Sequence, residues 1–349
     1  MPLPKIRVLI VDDSGLMRLL ITDMLSQSQE IEVVDTAENG KDAVEKTLAL
    51  LPDVVVLDLI MKDYDGVYAV KEIMKQRPTP IILLSSLGNA NPDAVFEVMK
   101  LGAYTFINKP DTSFSSKIRE ITQLLINKIK QAACASVKRV DYKETVNHYA
   151  HTFPKELPYH IIVIGASTGG TGAIEDILKQ LPANLPLPIV IAQHMPKEFV
   201  YSFAERLNAL LPLQVSVAQK NETLLNGRIY IAPTGTHNLV ITRDEQTKVV
   251  KFDYTDTVFP EFNYPSVNCL FLSAAAVYSD KVIAIILSGM GKDGAVGMQS
   301  IFQKGGYTIA QNEATSVVFG MPKEAIATGS VKTVLPIEQI AGFVVSCLG

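Results

Sequence analysis

The chain of 349 residues has only three cysteines, Cys134, Cys269 and Cys347, widely spaced and with no C-x-x-C pair. That leaves no cysteine basis for a zinc site or a dithiol redox couple, and free thiols in a reducing compartment are expected. An excess of basic residues is also missing. The 32 lysines and arginines are dispersed and stand against 36 acidic residues, a formal net charge of -4, so the electrostatic footprint of a nucleic-acid binder is absent. No apolar run approaches the ~20 residues of a membrane span, and the N-terminal run meets Asp12 and Asp13 too soon for a signal-peptide core. A mildly acidic cytoplasmic protein is expected, with neither nucleic acid nor membrane insertion.

What the chain does have is apolar material, 48% of its residues, and a length that suits two domains rather than one. From Ile6 to about Lys130, runs such as "IRVLIV", "DVVVLDL" and "PIILLSS" alternate with helical patterns. Five such units, with strands apolar on both faces, predict a doubly wound parallel α/β domain over 1–130. Residues 131–158 mix charges and prolines without a period and read as a linker. A second α/β domain is expected over 159–349, from "HIIVIG" through "LPIVIAQHM" and "KVIAIILSGMG", with a β-rich middle.

In an open parallel sheet the reactive crevice lies at the carboxyl ends of the strands. Asp12 and Asp13 close the first strand, Asp58 the third, while Ser85 and Lys109 follow the fourth and fifth. Grouped carboxylates need a neutralising cation, and an oxygen-only set with few ligands suits Mg2+. Lys109 adds the fixed positive charge that a transferring phosphoryl group requires. Any one of these residues taken alone is better explained as a helix N-cap; the set of five is not. "LIVDDSGLMR", "VVVLDLIMKDYDG", "PIILLSS" and "INKP" resemble the receiver domain of two-component response regulators, a flavodoxin-like fold. The resemblance implies that Asp58 accepts a phosphoryl group from a histidine kinase and that Asp12, Asp13, Asp58 and the main-chain carbonyl of Ile60 hold Mg2+. It also implies that Ser85 and Lys109 contact the phosphoryl group and that Lys109-Pro110 is a cis peptide. Lys62, where the family commonly has proline, departs from the pattern.

"YHIIVIGASTGGTGAIEDIL" runs a strand through a glycine-rich corner into a helix. A Walker loop fails there because Thr171 stands where its lysine must be, and the G-x-G-x-x-G fingerprint fails at Glu175. What matches is G-x-S-x-G, Gly165 to Gly169, in the strand-turn-helix setting of a nucleophile elbow centred on Ser167. A serine needs a base. Of the five histidines, His194 follows the next apolar strand and is the first choice; His237, on a turn between apparent strands, is the second. Asp293 follows another apolar strand, and the glycine-rich turn at Met290 can aim an N–H at an oxyanion. Alone, Ser167 is more often an N-cap and His194 a structural histidine; three such groups at three strand ends favour a triad.

"GASTGG", "AQHMP", "YPSVNCLFLSAA", "LSGMGKDGAVGM" and "NEATSVVFGMPKEA" resemble the catalytic domain of the CheB family of chemotaxis protein-glutamate methylesterases. That resemblance implies Ser167 as nucleophile, His194 as base and acid, Asp293 as orienting carboxylate and the Met290 N–H in the oxyanion hole. The substrates it implies are methylated glutamates, and glutamines, on the cytoplasmic helices of methyl-accepting chemoreceptors, with a CheA-like kinase as phosphodonor. Asn268 and Leu272 depart from the commoner residues and are expected to affect the substrate surface. The receiver is expected to cover the esterase cleft until Asp58 is phosphorylated. A non-catalytic signalling adaptor and a DNA-binding regulator are the competing classes.

Overall fold

Runs such as "IRVLIV" and "VVVL" offer no polar face, so they are stable only in a sheet covered on both sides. The computed structural model describes residues 4–85, 91–109, 115–140, 150–261 and 263–349. The chain divides into two units, Met1–Asp141 and Tyr142–Gly349.

The first unit alternates β1 (Ile6–Val11), α1 (Gly15–Ser26), β2 (Ile31–Ala37), α2 (Gly40–Leu50), β3 (Val54–Leu57) and α3 (Gly66–Gln76). It continues with β4 (Ile81–Ser85), α4 (Pro92–Lys100), β5 (Thr105–Asn108) and α5 (Ser115–Ala133). The strands pair in parallel in the order β2-β1-β3-β4-β5, the doubly wound, flavodoxin-like order whose switch point lies between β1 and β3. β3 and β4 are buried along their whole length. The side chains of Ser14, Asn39, Asp65 and Asn91 cap α1, α2, α3 and α4 by accepting backbone N–H bonds, each worth about 1 kcal/mol. Asp12 and Asp58 cap none of these four helices.

The second unit contains β6 (Ile161–Ala166), α6 (Gly170–Gln180), β7 (Ile189–Gln193), α7 (Lys197–Leu210), β8 (Gln214–Val217) and β9 (Arg228–Ile231). An antiparallel pair, β10 (Asn238–Arg243) and β11 (Val250–Thr255), comes next. The chain then returns to the main sheet through α8 (Val267–Tyr278), β12 (Val282–Ile286), α9 (Ala295–Gln303), β13 (Tyr307–Gln311), α10 (Met321–Ala327), β14 (Thr333–Leu335) and α11 (Ile337–Leu348). Seven parallel strands lie in the order β14-β13-β12-β6-β7-β9-β8. Because β6 sits between β7 and β12, the winding reverses at β6, where the strand ends open a crevice. One core cluster joins Ile161, Val163, Val190 and Val282 of the sheet to Leu270, Phe271 and Met298 of the covering helices. Each such side chain contributes about 1.5–3 kcal/mol on burial. Ahead of β6, His151 and Asn184 exchange two hydrogen bonds, 3.0 and 2.8 Å, tying the end of the expected linker stretch to this unit.

Candidate active site

Two rims gather the candidate side chains, one in each unit. In the first, Val11 pairs with Leu57, so the next residues, Asp12 and Asp58, leave the sheet side by side. Carboxylate oxygens of Asp12, Asp13 and Asp58 lie within 4.8 Å of one another; Asp13 is exposed and the other two are buried. β4 and β5 also end level, and the Lys109 N–H donates to the Ser85 carbonyl at 3.0 Å. The Lys109 side chain reaches back to both carboxylates, with Nζ 2.6 Å from Asp12 Oδ2 and 2.6 Å from Asp58 Oδ2. Burial works to lower the lysine's pKa, but the two carboxylates outweigh it and hold the pKa above the ordinary value. Asp12 shifts upward: burial is the main cause, and Lys109 and the Ser14 N–H offset it only in part.

The Ser85 hydroxyl is fully buried with no hydrogen-bond partner among the described residues. The Ile60 N–H donates to Asp58 Oδ1 at 3.3 Å. Pro110, and with it the expected cis peptide, lies outside the described residues. A close-set group of oxygens with one exposed carboxylate fits a hard cation that keeps its waters. An orphaned hydroxyl on one strand end and a lysine on the next fit an anion that supplies the remaining partners.

In the second unit Ala166 pairs with Gln193, which places Ser167 and His194 next to each other on strands about 4.8 Å apart. The His194 N–H bonds the Ala166 carbonyl at 3.0 Å. Ser167 caps no helix here, since Gly169 is the N-cap of α6 and has the left-handed φ of 75° that suits glycine. On the other flank β12 pairs with β6, Ile286 opposite Gly165, and the loop that follows carries Met290 and Asp293. A Cβ on Gly289 would stand 2.8 Å from Ser167 Cβ, and the Ser167 N–H donates to the Ser288 carbonyl at 3.0 Å. Met290 therefore follows a residue in direct contact with the serine. Among the described residues the Ser167 hydroxyl is not hydrogen-bonded to the imidazole, a contact that commonly tightens only with substrate bound.

Asp293 is buried on the N-terminus of α8. Its Oδ2 accepts from His194 Nε2 at 2.9 Å and from the Val267 N–H at 2.9 Å. Its Oδ1 accepts from the Asn268 N–H at 2.8 Å and the Ser266 hydroxyl at 3.1 Å. Burial pushes this carboxyl's pKa up, yet His194 and the two backbone donors outweigh it and hold the pKa below the ordinary value. It is thus an anion held in place from two sides. Burial above all, and then the Asp293 charge, push the neighbouring Cys269 thiol up to about 11, so that it stays neutral.

Several polar residues around this rim carried no recognised signal. The Ser288 hydroxyl donates to the Thr168 carbonyl at 2.7 Å and accepts the Val318 N–H at 3.0 Å, joining the serine corner to the Met290 loop. Gln311 accepts the Ser288 N–H at 2.8 Å, and Gln193 donates to the carbonyls of Ser167 and His194. The available clue was an amide ending a largely buried strand, "IVIAQ" and "YTIAQ". Asn268, expected at the substrate surface, is instead buried; besides holding Asp293, it accepts the Gly297 N–H at 2.9 Å. Leu272 is half-buried on the same helix. His237 is bonded to exposed Asp256 beside the β10–β11 pair and has no bond to Asp293.

Of the two doubly wound domains, one carries the acidic rim and the other the serine-histidine-aspartate rim. The family model for the CheB methylesterase matches residues 162–344, and that for the response regulator receiver domain matches residues 8–142. The chain is 43% identical to protein-glutamate methylesterase/protein-glutamine glutaminase 2 of Carboxydothermus hydrogenoformans, covering 98% of each. It is 40% identical to the protein-glutamate methylesterase/protein-glutamine glutaminase of Archaeoglobus fulgidus, again over 98% of each. The crystal structure of the Thermotoga maritima CheB methylesterase catalytic domain matches at 39% identity with a TM-score of 0.52, over 54% of this chain and 98% of that one. The chain belongs to the CheB methylesterase family and carries a receiver domain ahead of its catalytic domain. Among the described residues no helix is long and apolar enough to cross a membrane.

Proposed function

We propose that the enzyme hydrolyses glutamate methyl esters, and the side-chain amides of glutamines, on the cytoplasmic helices of chemoreceptors by a Ser-His-Asp mechanism. The observation that carries this is the 2.9 Å His194–Asp293 pair on the two strand ends that flank Ser167. Because His194 engages Asp293 through Nε2, Nδ1 is the nitrogen that takes the Ser167 proton as Oγ attacks the ester carbonyl. The Met290 N–H stabilises the resulting oxyanion. His194 then returns the proton to the leaving group, which departs as methanol, or as ammonia from a glutamine. Water repeats the sequence on the acyl-serine, His194 taking its proton, and frees glutamate. Asp293 keeps the imidazole oriented and stabilises its charged form.

In the receiver, Asp58 accepts a phosphoryl group from a CheA-like histidine kinase in the cytoplasm. Asp12, Asp13, Asp58 and the Ile60 carbonyl would hold Mg2+, which when bound supplies neutralisation of the phosphoryl charge. Lys109, already placed at 2.6 Å from Asp58, contacts the transferred group together with Ser85. Methanol release from methylated receptor tests the esterase reading. Ser167→Ala lowers turnover on the ~10⁶-fold scale of triad serines while the protein stays folded. Near-normal turnover in folded Ser167→Ala would assign the chemistry elsewhere, and an inactive wild type would favour a binding adaptor.

A further inference from the structure

Gln193 ends β7 with its side chain buried beneath the catalytic rim, 2% exposed. Its amide nitrogen lies 2.9 Å from the Ser167 carbonyl and 2.9 Å from the His194 carbonyl. Both neighbours are acceptors, so this end must be the NH2 group, and its two protons are divided between the two residues. Among the described residues no other side-chain donor bridges these two carbonyls. The opposite end, Oε1, is buried without a hydrogen-bond partner among the described residues. It lies against Gly170, where a Cβ would overlap it. An unpaired buried acceptor is costly, and an apolar side chain of the same shape would avoid that cost.

We propose that Gln193 is a positioning residue for the hydrolysis: its amide fixes the spacing of the nucleophile and the base through their main chains. The β6–β7 ladder sets the two strands side by side only as far as Ala166 and Gln193. One further backbone bond, from the His194 N–H to the Ala166 carbonyl at 3.0 Å, follows before Ser167 leads toward α6 and His194 toward α7. To that last backbone bond the Gln193 NH2 group adds a clamp between the Ser167 and His194 carbonyls, just where Oγ and the imidazole must meet. Gly170 belongs to the same device, since its missing side chain leaves room for the amide.

This proposal rests on the triad reading, and its test separates the two. Methanol release by the full-length wild type is compared with that of Gln193→Met, which keeps length and volume but has no donor, and of Ser167→Ala. Expected for Gln193→Met is a kcat loss of roughly 10- to 100-fold, the scale of a misplaced reacting group, with KM within about twofold. A folded Gln193→Met with kcat within about twofold of wild type overturns the proposal, as does an activity loss that only follows the unfolded fraction. If Ser167→Ala is as active as wild type, the triad reading fails first.

The isosteric Gln193→Glu keeps the test decisive should the methionine variant not fold. An ionised carboxylate has no donor and faces two carbonyls, whereas its protonated form regains one O–H donor, and burial favours that form. The deficit relative to wild type therefore grows between about pH 5.5 and about pH 8. A deficit constant across that range means that Gln193 only fills space, and overturns the proposal.

Discussion

Asp293 is surrounded by donors: His194, Ser266, and the N–H groups of Val267 and Asn268, with the Asn263 amide at 3.5 Å. An ionised carboxylate can accept from all of them, and an amide cannot. Asp293→Asn should therefore leave the imidazole in the wrong tautomer and lower kcat by about 10⁴-fold, the scale known for such a change in a serine triad. Methanol release checks this. The same carboxylate links stability to pH. With its folded-state pKa held below the ordinary 3.8, it contributes stability above that value, and the contribution is lost as the pH falls through the lower folded value. Urea midpoints measured below pH 4 should fall more steeply for the wild type than for Asp293→Asn. Equal slopes would place the pH response in other groups.

Ser167, His194 and Asp293 were legible because each follows an apolar run and sits beside turn residues. Gln193, Ser266 and Ser288 were not, because their partners are 26, 27 and 120 residues away in sequence. Asn268 was legible only as a departure from a family pattern. In the structure it is buried at the start of α8, where its N–H and that of Val267 hold Asp293.

Among elements, the contact between β6 and the start of α8 matters most for the site. A Cβ on Gly165 would overlap Val267 Cγ1, so the absence of a side chain lets α8 bring its N-terminus up to Asp293. Gly165→Ala should cost about 1–3 kcal/mol through overpacking and should lower kcat by moving the carboxylate. Thermal unfolding and methanol release test the two effects, and an unchanged kcat in the destabilised variant would uncouple α8 from the site. Apolar runs made the strands themselves easy to recognise. Their order was hidden. Nothing local says that β12 returns beside β6, bringing Asp293 to a histidine 99 residues earlier in the chain. The turn carrying His237, the second choice for the base, leads into an antiparallel pair outside the main sheet.

At the scale of the molecule, two doubly wound sheets each place chemistry at a switch point, one suited to a phosphoryl group and one to an ester. Phosphorylation of Asp58 can change the esterase rate only through a difference in interaction free energy between conformational states, and tenfold activation needs about 1.4 kcal/mol. The coupling of the two rims is measured by methanol release from methylated receptor with and without a small phosphodonor. The comparison includes the wild type, Asp58→Asn, and the wild type with Mg2+ removed by a chelator. The rate should rise at least about tenfold in the wild type with Mg2+, and stay at its basal value in Asp58→Asn and in the chelated enzyme. An equal rise in the wild type and in Asp58→Asn would contradict control of the esterase through Asp58.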